Sequence, residues 1–141
     1  MARRAGRGMG PWPAMEPVML SPFPPVIGSS SPWGAIQTVE PLGPDAAFVT
    51  TASHGGLRVS LTALARLPVA LRETPYSQNG WFEEDCDWAL PYLALGLDAF
   101  EPDAARAPEV HQAAVRNVQR WHAPLAAVLG IAAPAEGGRG G

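Results

Sequence analysis

The chain has 141 residues and a formal net charge of −3, with ten basic residues against thirteen acids. That length bounds it at one domain, and the acidic balance gives no electrostatic case for direct nucleic-acid binding by the whole chain. A single cysteine excludes an internal disulfide, and the longest apolar run falls short of the ~20 residues that span a bilayer, so a cytoplasmic protein without membrane association is expected.

Proline (16) and glycine (15) together exceed a fifth of the chain and concentrate at its two ends. Proline removes donors and forbids regular ladders, which predicts a disordered Pro/Gly/Arg tail over residues 1–31. Arg3-Arg4-Ala5-Gly6-Arg7 within it reads as a charged, solvated segment. No apolar run follows Arg3-Arg4, so no secretory signal is expected. Residues 132–141 form a second disordered tail. One domain then occupies residues 32–131.

Ala35–Glu40 and Ala46–Thr51 read as short strands. Pro41-Leu42-Gly43-Pro44-Asp45 between them is turn chemistry and predicts an antiparallel hairpin. Gly55-Gly56 predicts the next turn, because glycine accepts the positive φ of a tight hairpin. A third strand follows at Leu57–Ser60, with Leu57 and Val59 alternating with Arg58 and Ser60. Ser60 can cap a short helix over Leu61–Leu67, which Pro68 stops. A loop runs from there to Gly80.

A helix is predicted from near Phe82 with acids in its first turn, where the helix dipole favours them. Pro91 should divide it into Glu83–Ala89 and Tyr92–Leu97. The last helix, over 108–129, has Pro108 at a first-turn position. Its apolar stripe is Val110, Ala114, Val118, Trp121, Leu125 and Val128, bent or broken at Pro124. Trp88 and Trp121 are expected in the core. The fold class is α+β: a small antiparallel sheet of about three strands covered by two to four helices.

Two stretches hold the candidate chemistry. In Thr51-Ala52-Ser53-His54-Gly55-Gly56-Leu57-Arg58-Val59-Ser60, a His-Gly-Gly segment is compatible with an oxyanion hole. The Gly-x-Ser-x-Gly elbow of that hydrolase class is absent, however, and the chain is too short for its fold. The segment is either a glycine hairpin with a loop-bound histidine or a ligand-facing loop with bare amides. In Gly80-Trp81-Phe82-Glu83-Glu84-Asp85-Cys86-Asp87-Trp88-Ala89, Cys86 has four acids around it, which oppose a thiolate. A small buried hydrophobe is the better expectation for it.

The spacings of the strong zinc motifs are absent. His111 and His122 share a helical face but lie ~16 Å apart, too far for one ion. What remains is His54 combined with Glu83, Glu84, Asp85 or Asp87, where Glu83 and Asp87 on one helical face would suit a hard divalent cation. The bland alternative is acids complementing a helix dipole. No cofactor is predicted, and a divalent cation is left open. Trp81, Phe82 and Trp88 around the acids are either a protein-binding hot spot or an inward-facing stripe.

Taken with Ser31-Pro32-Trp33-Gly34, these two stretches resemble a domain family of unknown function found in plasmid, integrative-element and phage proteins. The resemblance covers Trp33 to Leu97 and leaves the last helix outside. It implies a mobile-element context and assigns no residue a role. The leading expectation is a protein-binding accessory or counter-defence modulator of a nucleic-acid-handling complex, contacting a host or element-encoded protein. Its face would comprise Gly55, Gly56, Arg58, Trp81, Glu83 and Asp87, with carboxylates competing with phosphate. The alternative is a small hydrolase or nucleotide-acting enzyme with His54 as base and Glu84 or Asp85 as acid or metal ligand. That chemistry requires the His54 ring within ~10 Å of those carboxylates. A third reading makes both stretches fold determinants only.

Overall fold

The computed structural model describes residues 23–72 and 77–132, and most of the two predicted tails lies outside them. Strands β1 (Ser30–Ser31) and β2 (Gly34–Ala35) pair as a small hairpin. The main sheet contains β3 (Thr38–Pro41), β4 (Ala46–Thr50), β5 (Gly55–Val59), β6 (Ser77–Gln78) and β7 (Trp81–Glu83). Its order is β3-β4-β5-β7-β6, with every neighbouring pair antiparallel. The helices are α1 (Leu61–Arg66), α2 (Val69–Arg72), α3 (Ala89–Ala94) and α4 (Ala107–Trp121), with 3-10 turns at Leu97–Phe100 and Ala123–Leu125. The class is α+β as expected, but the sheet has five strands rather than about three, and ordered pairing begins before Trp33.

Both faces of the sheet are covered, which explains why every residue of β5 is buried. Phe48, Leu57 and Phe82 are register partners across three strands and point one way. There Leu57, Val59 and Phe82 join Leu90, Tyr92, Ala114 and Val118 in the main core under the helices. Each of the Leu, Val and Phe side chains among them contributes about 1.5–3 kcal/mol by burial. On the opposite face Ile36, Val49 and Trp81 form a smaller cluster with Trp33 and Val39. Arg58 lies on that face as the register partner of Trp81, its guanidinium 4.7 Å from the indole centroid.

Gly56 is in that strand and not in a turn. A Cβ there would stand 2.3 Å from the Trp33 ring and 2.4 Å from the Phe82 carbonyl, so only glycine lets the indole lie on the strand. The β4–β5 turn is instead Thr51–His54, displaced by two residues from the glycine turn expected. Thr51 closes it: its amide and its hydroxyl both donate to the His54 carbonyl, and the hydroxyl oxygen accepts from the His54 amide. A side chain that completes a turn in this way replaces the positive φ that glycine would supply.

The loop expected up to Gly80 contains a hairpin. Asn79 and Gly80 have φ of 51° and 91°, the handedness a two-residue Asn-Gly hairpin requires, and they join β6 to β7. Arg58 Nη1 donates to the Asn79 carbonyl and holds this turn to β5. Trp81–Glu83 is therefore strand, correcting the helix expected from Phe82.

The first helix follows expectation, with the Ser60 hydroxyl accepting from the Ala63 amide and Leu67 ending it before Pro68. Pro91 is the third residue of α3, where its missing N–H would have no helical partner, so it opens that helix rather than dividing it. Helix α4 breaks at His122, and Pro124 sits in the 3-10 turn beyond. The apolar stripe holds for Ala114 and Val118 but ends with the helix. Trp88 is half-buried against Phe48 and Tyr92. Trp121, expected in the core, is 53% exposed, because the chain leaves helical geometry at the residue after it. Among the described residues no helix is long and apolar enough to cross a membrane.

Candidate functional site

The acidic run forms a tight turn between β7 and α3 and is held from two sides. From the sheet side, Glu83 Oε1 accepts from the Asp85 and Cys86 amides at 2.9 and 3.1 Å. The Glu83 carbonyl accepts from the Asp87 and Trp88 amides, and the Glu84 amide donates to the Gly55 carbonyl. From the helix side, Asn117 Nδ2 donates to the Asp85 carbonyl at 3.0 Å. His122 Nε2 lies 2.8 Å from the Cys86 carbonyl and 2.9 Å from Asp87 Oδ1. A carbonyl only accepts, so Nε2 carries the hydrogen and donates to Cys86, with the Asp87 carboxylate alongside.

This anchoring sends the acids to different places. Asp87 is fully buried beside His122, whose side chain is 11% exposed. Glu83 is half-buried, and Glu84 and Asp85 are exposed. Glu83 and Asp87 were expected on one helical face. They diverge because the segment is a turn: Glu83 turns toward the sheet edge and Asp87 toward α4.

His54 closes the exposed side. Its Nδ1 is 3.8 Å from Glu83 Oε2, and one ligand atom each from His54, Glu83 and Asp85 lies within 4.8 Å of the others. The ring therefore lies inside the ~10 Å that the acid–base alternative allows, with Glu83 and Asp85 as the carboxylates grouped with it. The Glu84 carboxylate packs over Gly55, where a Cβ would come 2.9 Å from Oε1. Imidazole with two carboxylates suits divalent ions that accept mixed nitrogen and oxygen donors, and the exposed side leaves coordination positions for water.

Electrostatics follow burial. Partial burial raises the Glu83 carboxyl above its ordinary value, and Asp85 raises it further, while the two amides on Oε1 and His54 oppose the shift. Burial, then Glu83, Asp87 and Asp85, push the Cys86 thiol up, which keeps it protonated at neutral pH and disfavours nucleophilic chemistry. Cys86 is half-buried rather than a core residue. Burial lowers Arg58 from its usual value, and it remains a cation.

Of the residues read as a binding face, Gly55, Gly56, Arg58, Trp81 and Asp87 lie inside the fold. Gly56 is under Trp33, Arg58 on Trp81, and Trp81 edge-on to Trp33 at 5.7 Å. His54, Glu84 and Asp85 are exposed at this edge, as are Ala52 and Ser53 of the adjoining turn. Asn117 and His122 were missed as partners of the acidic turn. They stand 32 and 36 residues from their acceptors, and no local spacing signals such a contact.

The profile of the family described as Domain of unknown function (DUF7007) matches residues 26–134. The match includes the last helix, which the resemblance read from the two stretches had left outside. No curated protein and no solved structure matches the chain.

Proposed function

We infer that this chain, which belongs to the DUF7007 family, is a binding module of mobile-element proteins that engages a host or element-encoded partner through His54, Glu84 and Asp85. One observation carries this reading. The turn bearing Glu84 and Asp85 is fixed by hydrogen bonds from both the sheet and α4, yet those two side chains face solvent next to His54. Exposed charged groups on a backbone held this firmly lose little freedom on binding, which favours specific contact over diffuse charge attraction. The partner chemistry that fits is a basic protein surface, including one that otherwise holds phosphate, so a modulator of a nucleic-acid-handling complex is the natural setting. Capture from host extract by wild type and by a Glu84→Ala/Asp85→Ala variant tests it. A basic partner retained by the first and lost by the second is expected; identical sets of captured proteins would overturn the reading.

A second reading rests on the grouping of His54, Glu83 and Asp85 within 4.8 Å. Here the face holds a divalent cation that activates water for hydrolysis of a phosphate-containing substrate. Calorimetric titration with Mn²⁺ or Zn²⁺ tests it. Saturable 1:1 binding abolished by His54→Ala supports this reading, and no heat above that of the His54→Ala variant removes it.

A further inference from the structure

A cavity of about 340 Å³ opens between α4 and the sheet, within the size range of small-molecule sites. Phe48 of β4 and Trp88 line it with ring centroids 5.9 Å apart, and Val110 and Ala113 of α4 extend the apolar surface. Three carboxylates join these walls from three separate elements. Glu40 comes from β3, Glu101 from the end of the 3-10 turn at Leu97–Phe100, and Glu109 from the first turn of α4. Glu101 is fixed there by the buried Tyr92, whose hydroxyl donates to Oε2 at 2.7 Å. Arg106 is the one cation among the lining residues, and among the described residues it forms no ion pair with the three acids.

We propose that this cavity binds an aliphatic polyamine, its methylene chain against Phe48 and Trp88 and its separated ammonium groups at the three carboxylates. Three carboxylates against one guanidinium leave the lining net negative, which selects a cation. The spread of the acids selects the kind of cation. Among the described residues, the acids and histidines close enough to share one ion are His54, Glu83 and Asp85, so the carboxylates of Glu40, Glu101 and Glu109 stand too far apart to converge on a metal. Charges spread around an apolar wall match a ligand whose own charges are spread along an apolar chain. A single lysine side chain from a partner would answer one carboxylate and leave the others unmet. An ammonium over the face of an indole or phenyl ring adds its own attraction to the area buried. None of the lining residues belongs to the His54 face, so this site and the proposed function stand or fall separately.

Calorimetric titration of the full chain with spermidine tests the site. Saturable 1:1 binding with a Kd below about 1 mM is expected. The Glu40→Gln/Glu109→Gln variant changes two exposed residues, and an unchanged circular dichroism spectrum confirms that it is folded. It should bind at least about fivefold more weakly. Glu101→Gln keeps an oxygen for the Tyr92 hydroxyl and should also weaken binding, whereas Arg106→Gln removes the opposing charge and should tighten it. Glu84→Gln/Asp85→Gln should leave the spermidine Kd unchanged, which separates the cavity from general attraction of a polycation to an acidic chain. Absence of saturation overturns the site, as does an affinity that the Glu40→Gln/Glu109→Gln variant retains or that both double variants weaken equally. A capped lysine peptide that binds more tightly than spermidine overturns it too, since the occupant would then be a partner's side chain.

Discussion

The six residues from Glu83 to Trp88 supply two histidine–carboxylate pairs with opposite surroundings. Asp87 and His122 meet at 2.9 Å with 0% and 11% of their side chains exposed, while Glu83 and His54 stand 3.8 Å apart with 16% and 52% exposed. The first pair joins the turn to α4 and is shielded from water; the second faces outward with Asp85 beside it. In a turn, neighbouring side chains leave in different directions, so one acidic run both closes the fold and furnishes an exposed face. The same pair of chemical groups thus divides by burial: Asp87 is enclosed with His122, while Glu83 holds the turn through Oε1 and keeps Oε2 toward the exposed His54 ring.

The largest expected difference between the two pairs is in stability. Asp87→Ala leaves the buried His122 N–H beside one acceptor fewer and opens space at a fully buried position, and should cost about 3 kcal/mol. Asp85→Ala, two residues earlier and exposed, should change stability by no more than about 0.5 kcal/mol. Urea denaturation midpoints measure both. Equal losses from the two substitutions would break the comparison.

The hairpin that delivers the run to its place is the next point of leverage. Gly80 has φ of 91°, and a Cβ there would lie 2.5 Å from the Val59 carbonyl. Gly80→Ala should therefore cost about 1–3 kcal/mol through strain and displacement of β5 from β7. Thermal unfolding reads the loss. Amide exchange at Trp81–Glu83 should speed up with it, since those residues pair through the same turn.

Partial burial of Glu83 makes the outward pair sensitive to pH. Its folded-state pKa is raised, so between the ordinary glutamate value and the raised one the folded protein binds more protons than the unfolded chain. Stability then falls as pH rises through that window, and above it the cost of the buried charge is complete. Glu83→Gln keeps an oxygen for the Asp85 and Cys86 amides and removes the charge, so it should flatten that limb in a series of urea titrations. A cation on the same oxygens competes with the proton. Mn²⁺ affinity should therefore strengthen as pH rises through the same window in wild type, and be lost in Glu83→Gln.

The sequence shows the β3–β4 hairpin, the Ser60 cap and the Ala114–Val118 stripe because each rests on contacts a few residues apart. Asn79-Gly80 was equally local, and its hairpin signal was present, but the helical reading of the acids after Trp81 masked the short strand behind it. The joining of His54 to Glu83 depends on β5 pairing with β7 across the intervening helices. The clamp of Asn117 and His122 on the turn needs α4 folded back over more than thirty residues. Neither leaves a periodic trace. The exposure of Trp121 was hidden differently: its stripe position is right for burial, but the helix ends beneath it.

The smallest expected effect sharpens the comparison most. His54→Ala removes an exposed ring that stands 3.8 Å from Glu83, a separation too long for a hydrogen bond. The Thr51–His54 turn is held by the Thr51 hydroxyl and by main-chain atoms, which alanine retains. Folding stability should stay within about 0.5 kcal/mol of wild type, while partner capture or cation binding at this face is lost. Were the two histidines equivalent fold determinants, His54→Ala would unfold the domain as readily as His122→Ala. Denaturation curves for both variants, measured beside the binding assay, separate a working residue from a structural one, because only a residue not needed for folding can lose binding without losing stability.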